Sequence, residues 1–242
     1  GPNSNLFAGY TKGRRPPVIQ FNSSGTSEIM REETLHSFDA GLKSALGSRF
    51  WFDATAFYQL FNNFQTNAWV ENNYLVRDAG KATSYGVETS AKLALLRNLT
   101  LFGNYGYIHA RFDSLDSQGN AQEYAGNQFR LTPEHSFTAG VDARFPLLRG
   151  IWLFAVPSWS WQSHVWFEDA NTPQLDQSAY GTLNANAGII LTQPGVTLSV
   201  SGTNLLEEKY VISAGNTGTL FGVPTYIPGP PRMISGKITW RF

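Results

Sequence analysis

The sequence predicts an all-β fold, in which antiparallel strands cross a membrane as part of a β-barrel wall. Three observations predict it: two-residue alternation of apolar and polar side chains from end to end, strands long enough to span a bilayer, and connections that alternate between tight turns and long polar loops. Alternation is clearest at the C-terminus. There Ile234, Gly236, Ile238, Trp240 and Phe242 share one face, while Ser235, Lys237, Thr239 and Arg241 share the other. The same split sets Phe38, Ala40 and Leu42 against Asp39 and Lys43, and Tyr85, Val87, Ala91 and Leu93 against Glu88, Ser90 and Lys92. It returns in Phe137, Ala139, Val141, Ala143 and Phe145 against Thr138, Asp142 and Arg144, and in Leu183, Ala185, Ala187, Ile189 and Leu191 against Asn184 and Asn186.

A soluble β-sandwich or lipocalin-like barrel shows such alternation too, with its apolar face turned inward. Strand length argues against it: stretches such as 128–145 and 179–192 exceed the five or six residues usual in soluble strands and reach the roughly 9 to 11 that cross a bilayer at a tilt. About ten strands are expected, over 6–10, 35–44, 50–70, 74–95, 99–113, 128–145, 151–167, 179–192, 196–204 and 232–242. Tight turns fall at 46–48, 96–98, 146–150 and 193–195, and longer polar loops run over 12–33, 114–126, 168–178 and 207–231. An extracellular turn at 71–73 joins two of the long strands. This parity puts every tight turn on the side where the chain ends, the short-periplasmic, long-extracellular asymmetry of outer-membrane barrels. Phe50, Trp51, Phe145, Trp152, Trp240 and Phe242 flank those turns or the C-terminus and suit a periplasmic aromatic girdle.

Composition narrows the function classes. With net charge +0 over 242 residues nothing points to nucleic acid, and the absence of cysteine removes disulfides, thiol nucleophiles and thiolate metal sites. Aromatic residues make up 14% and charged residues 15%, against about 25% charged in a soluble domain. No run approaches a transmembrane helix, and the N-terminus lacks the pattern of a signal peptide.

Several segments resemble a known family. Leu6-Phe7-Ala8-Gly9-Tyr10-Thr11-Lys12-Gly13-Arg14-Arg15-Pro16-Pro17 resembles a strand ending in Gly-x-Arg-Pro, and Glu33-Thr34 with Phe38-Asp39-Ala40-Gly41-Leu42-Lys43 a Glu-Thr…Glu-x-Gly-Lys strand, with Asp39 at the acidic place. Ala56-Phe57-Tyr58 resembles an Ala-x-Phe segment. Ala79-Gly80-Lys81-Ala82 leading into Tyr85-Gly86-Val87-Glu88 resembles Asn-x-Gly-x-Ala…Gly-x-Glu, with Asp78 or Ala79 where Asn is usual. Asn204-Leu205-Leu206-Glu207-Glu208-Lys209-Tyr210, Pro228-Gly229-Pro230-Pro231-Arg232 and a terminal Phe242 resemble a last hairpin. Together, in this order over nearly the whole chain, they resemble the TonB-dependent receptors of the bacterial outer membrane. That resemblance implies a barrel of about 22 strands around an N-terminal plug, driven from the inner membrane by the TonB complex. Residues 1–242 would then be the C-terminal portion of the barrel domain, with the plug absent from this stretch and the remaining strands as partners. Closure of ten strands on themselves, into a barrel roughly 20 Å across, is the geometric alternative. The expectation is an open edge.

Site residues follow from position. Arg14, Arg15, Tyr74, Tyr124, Trp166, Phe167 and Tyr226 are the extracellular basic and aromatic candidates for ligand contact; Tyr180, Tyr210 and Phe221 lie at the same presumed ends. Asp39, Lys43, Asp53, Glu88, Lys92, Asp142, Arg144, Lys237 and Arg241 face the lumen, where they contact a plug, line a solute path or pair across strands. Trp240 and Phe242 resemble the signal read by the barrel assembly machinery. His36, His109, His135 and His164 show no metal-ligand spacing, Asp113, Asp116 and Glu123 show no calcium-loop spacing, and no cofactor is expected. The expected function is active import of a scarce nutrient across the outer membrane, with a small-molecule ligand such as a ferric siderophore captured by extracellular loops. Two rivals remain: a passive pore, and an omptin-like protease using His109 near Asp113 or His164 near Asp169.

Overall fold

The computed structural model describes residues 3–21, 25, 27–70, 73–215 and 223–241, all of them strand, turn or loop. Ten long strands make one antiparallel sheet: β1 (Ser4–Arg15), β4 (Glu33–Leu46), β5 (Phe50–Asn62), β8 (Ala82–Leu96), β9 (Leu99–Phe112), β10 (His135–Leu148), β11 (Ile151–Gln162), β14 (Tyr180–Leu191), β15 (Val196–Thr203) and β18 (Met233–Trp240). Each pairs only with the wall strands before and after it in sequence, as an up-and-down barrel requires. Four small hairpins extend from the long-loop end: β2 (Val18–Phe21) with β3 (Ser27–Met30), β6 (Gln65–Val70) with β7 (Asn73–Asp78), β12 (Val165–Trp166) with β13 (Asp176–Gln177), and β16 (Val211–Gly215) with β17 (Thr225–Pro228). β1 and β18 do not pair with each other among the described residues, so the sheet is open at both edges.

The register separates two faces. Asp39, Lys43, Asp53, Glu88, Lys92, Asp142 and Arg144 fall on one face together with Thr55, Ser90, Asn104 and Thr138. The opposite face carries Phe38, Tyr58, Tyr85, Val87, Leu101, Phe137, Phe145, Leu153, Leu198 and Val200, all exposed, and Ile234 and Ile238 are 67% and 75% exposed. Water would penalise that much apolar surface, whereas hydrocarbon does not. Among the described residues no hydrophobic core lies against the middle of the wall. The two buried apolar clusters, Ala79, Ala82, Phe112 and Tyr124, and Val165, Phe167, Leu175 and Ala214, both sit at the long-loop end.

Four expected strands are shorter in the wall than the alternation suggests. The 50–70 stretch divides at Asn63, which is left-handed (φ 53°), and Gly80 (φ 85°) divides 74–95 opposite it. Phe64 and Gly80 hydrogen-bond across this break, turning β6 and β7 away from the wall. Residues 128–134 are not strand: Leu131 is left-handed (φ 56°), Pro133 follows, and the Leu131 N–H donates to the Trp166 carbonyl. The wall strand expected to run to 167 ends at Gln162, where the Ser163 N–H donates to the His135 carbonyl. Alternation continued through these stretches because hairpins and wall strands share a period of two. Two girdle assignments also change. Trp51 lies opposite Lys92, beside Lys43 and Asp53, and Trp152 opposite Ile190 on the face of Phe154 and Arg144; both therefore belong to the lumen side.

Along the lumen face, Phe7, Phe57, Phe102 and Phe154 lie directly opposite Gly41, Gly86, Gly140 and Gly188 on the next wall strand. A Cβ on any of these glycines would run into the ring opposite, and on Gly86 also into the Tyr107 carbonyl. The ring covers glycine backbone that no side chain shields. Gly86→Ala in the intact protein should therefore destabilise the barrel by ~1–3 kcal/mol through overpacking. Denaturant unfolding in lipid vesicles measures it, and an unchanged midpoint would contradict the packing.

Candidate extracellular binding surface and lumen

The long-loop end is knit together by a few buried polar groups. Gln65 accepts through its carbonyl from Arg15 Nη1 (3.0 Å), donates its backbone N–H to Glu33 Oε2 (2.8 Å), and donates its side-chain amide to the carbonyls of Pro16 (3.1 Å) and Arg31 (2.8 Å). Arg15, Pro16 and Glu33, which belong to two separate sequence fragments, thus converge on one residue. Asp78, beside the turn at Gly80, caps that turn: Oδ1 accepts the Gly80 N–H (2.8 Å), while Oδ2 accepts from Arg31 (2.8 Å).

Asp169 is a second hub, 7% exposed. Its carboxylate accepts from the Thr66 hydroxyl and the Arg130 N–H (3.1 Å), and its carbonyl accepts from the Asn127 amide (2.9 Å). Asn171 beside it is left-handed and exchanges hydrogen bonds with the Gln128 backbone, accepting at 2.8 Å and donating at 2.9 Å. Three loops distant in sequence are joined here. On the loop surface Arg77 pairs with Glu123 (3.1 Å). The Asn120 backbone N–H, with the Asn120 amide and the Gln118 N–H, holds the Asp116 carboxyl below its ordinary range; burial, then Glu123, push the Tyr124 phenol up.

The last hairpin is stapled by Asn204, 3% exposed and left-handed (φ 49°). Its side chain accepts the Glu208 N–H (2.9 Å) and donates to the carbonyls of Glu208 (2.9 Å) and Pro230 (3.1 Å). Arg232 pairs with Glu207 (2.8 Å), and the Tyr210 ring lies against Gly229, where a Cβ would collide with it, and stacks on Tyr180 at 4.2 Å. Below them the lumen face forms a concavity of ≈ 570 Å³ lined by Asp53, Glu88, Asn104, Thr138, Tyr180 and Tyr210 among others. Hydroxyls dominate it. Ser90 donates to Asp53 (2.5 Å), and the Thr138 and Ser160 hydroxyls share a bond of 3.0 Å.

The ligand-contact candidates part company. Tyr226 is 48% exposed, with its hydroxyl donated to the Gln174 carbonyl (2.9 Å), and Trp166 meets His164 edge to face. Arg14 pairs with Glu32 (3.7 Å), and Arg15 is committed to Gln65. Tyr124 and Phe167 are buried in the two loop clusters, because their rings supply the apolar cores that hold the loops; they are corrected to packing residues. The Tyr74 side chain, Phe221 and Phe242 lie outside the described residues. Neither candidate pair of the rival protease reading forms: His109 faces Glu134 (3.5 Å) while Asp113 accepts from Thr83, and His164 pairs with Asp176 (2.8 Å) while Asp169 serves the loop hub.

His36, His109 and His135 instead belong to an outer aromatic band that the sequence did not disclose. Tyr10 and His36 share a hydrogen bond of 2.9 Å, as do Tyr105 and His135, and Tyr58, Tyr85 and His109 stack in a row. All lie on the lipid-facing side toward the long-loop end, so the band suits the outer membrane interface, where rings with one polar end sit best.

The family profile described as TonB dependent receptor-like, beta-barrel matches residues 1–205. The chain belongs to the TonB-dependent receptor family. These barrels lie in the bacterial outer membrane, and the family's members are receptors and transporters rather than enzymes. Similar solved structures include the ferric yersiniabactin uptake receptor FyuA from Yersinia pestis (TM-score 0.81, 19% identity, covering 98% of this chain and 34% of that one). The ferric preacinetobactin receptor BauA from Acinetobacter baumannii gives 0.72 at 17% identity, covering 98% and 34%. The ferric citrate transporter FecA gives 0.73 at 18% identity, covering 99% and 36%. This receptor chain thus spans about a third of the length of the structures it matches. No curated protein matches it significantly in sequence.

Removing the Asp169 carboxylate should loosen the loops without melting the barrel. Asp169→Ala leaves the Thr66 hydroxyl and the Arg130 N–H without their acceptor, a local cost of ~1–3 kcal/mol. Hydrogen exchange should accelerate around residues 66 and 130 at an unchanged barrel melting temperature; protection as in the wild type would refute the hub.

Proposed function

We propose that this chain is the C-terminal part of the barrel domain of an outer-membrane receptor that imports a scarce nutrient, a ferric siderophore being the favoured cargo. The supporting observation is the open ten-stranded wall with a polar concave face, which matches siderophore receptors over nearly its whole length. An unpaired sheet edge in hydrocarbon is costly, so further strands of the receptor flank β1 and β18 and complete the barrel around a plug. The TonB complex acts through that plug, and the wall makes no chemical step. The similar structures include receptors and transporters of several ferric chelates and a copper transporter, OprC, so the metal-bearing cargo class is broader than one chelator.

Ligand contact falls to the loop cap and the upper lumen. Tyr226 and Trp166 present ring surface there, Tyr180 and Tyr210 present a stacked pair, and Arg14 offers a guanidinium whose partner Glu32 is exposed. Asp39, Lys43, Glu88, Lys92, Asp142 and Arg144 face the plug or the solute path. Trp240 and Phe242 serve recognition by the assembly machinery.

Deleting the gene from an iron-starved host should abolish uptake of one radiolabelled ferric siderophore and leave the others intact. Unchanged uptake of every chelate tested overturns the cargo. In the complemented strain, Tyr226→Ala should raise the Kd for that chelate about tenfold, equivalent to ~1.4 kcal/mol. An unaltered Kd would remove Tyr226 from the binding surface.

A further inference from the structure

The arginines of this chain divide by membrane side, Arg144 excepted: it stands on the lumen face near the tight turns, its backbone N–H donating to the Asn98 carbonyl, and pairs with Asp142. Twelve are present, and seven of them (Arg14, Arg31, Arg77, Arg111, Arg130, Arg144 and Arg232) lie within 4.0 Å of a carboxylate. Arg15 donates to a carbonyl. The other four are Arg49, Arg97, Arg149 and Arg241. They stand at or beside the four tight turns: Arg49 between β4 and β5, Arg97 between β8 and β9, Arg149 between β10 and β11, and Arg241, whose N–H donates to Gly195 in the turn between β14 and β15. All four are exposed, and none has a carboxylate partner among the described residues. The turns themselves, 47–49, 97–98, 149–150 and 192–195, contain no acidic residue.

The neighbours of these cations are apolar. Leu46, Leu96, Leu148 and Trp240, all well exposed, flank the arginines and continue the hydrocarbon-facing surface to the rim. A guanidinium placed one residue beyond such a surface, or three residues beyond it at Arg49, lies at headgroup depth. Its fork suits phosphate oxygens, and its apolar stem tolerates the boundary. A periplasmic protein partner would be expected to need a patch, whereas these charges are spread one per turn along the whole described rim, as a continuous planar surface of anions would require.

We infer that the tight turns bind the phosphate groups of anionic phospholipids in the periplasmic leaflet, through Arg49, Arg97 and Arg149 with Arg241 beside them. Six of the extracellular arginines are already paired with carboxylates and Arg15 is held by the Gln65 carbonyl, so this anchoring is confined to one leaflet. It fixes the depth and tilt of the wall from below, while the Tyr–His band does so from above.

The test uses the full-length receptor in vesicles of phosphatidylcholine with or without phosphatidylglycerol, followed by native mass spectrometry of the lipids that stay bound. Wild-type receptor should retain phosphatidylglycerol in preference to phosphatidylcholine and melt higher in its presence. Neutralising Arg49, Arg97 and Arg149 to glutamine should lower that enrichment about fivefold per arginine, the ratio equivalent to ~1 kcal/mol for each cation near the surface. The same positions as lysine should keep most of it, and neutralising Lys12 and Lys209 on the extracellular side should not change it. Equal enrichment in the glutamine variant, or an equal fall in the lysine control, overturns the inference. So does displacement of the lipid by inorganic phosphate at constant ionic strength, which would mark a site for free anions. Should the glutamine variant not fold, the wild-type preference and its phosphate competition decide alone: no preference for phosphatidylglycerol refutes the proposal.

Discussion

In hydrocarbon a backbone N–H or C=O has no water to bond, and the whole architecture depends on that constraint. Every wall strand therefore runs antiparallel beside the next in sequence, in continuous registers of seven to fourteen residue pairs. Because the ladder is obligatory, side chains are sorted by parity alone: one set meets lipid, the other the lumen. At Gly41, Gly86, Gly140 and Gly188 of the lumen set a phenylalanine on the neighbouring strand lies across the glycine, so the ladder stays shielded there although the side chain is missing.

A wall with lipid on one side and a wet lumen on the other has no interior in which to build a core. The buried apolar residues are accordingly displaced to the loop end, where Phe112 with Phe64 and Phe129, and Leu175 with Phe167, hold the extracellular segments together. Gln65, Asp169 and Asn204 complement them. Each is buried, and each ties together backbone from segments far apart in the chain. Segments that resemble the family thus do structural work away from lipid: Arg15, Pro16 and Glu33 close around Gln65, and the Asn204 to Tyr210 segment closes the final hairpin.

The two membrane interfaces are built differently. Outside, tyrosines and histidines pair along the wall and the guanidinium groups are matched with carboxylates; inside, short turns carry arginines with apolar neighbours and no acids. Short turns leave no chain with which to fold a partner over a charge, whereas long loops do.

The sequence by itself determined the faces, the parity of turns and loops, the strand count in the wall and the family, because strict alternation and turn chemistry are local. It misplaced the ends of strands at Asn63, Gln128 and Gln162, since a hairpin leaving the wall keeps the same period as the wall. It also could not separate Phe167 and Tyr124, which pack, from Tyr226, which is exposed, because an aromatic residue in a loop reads alike in either role. Tertiary structure alone decided those fates, along with the Asp169 hub and the Tyr–His band. Each depends on which distant segment lies opposite, and that is fixed by the register of strands and the burial of loops rather than by any neighbouring residue in the chain.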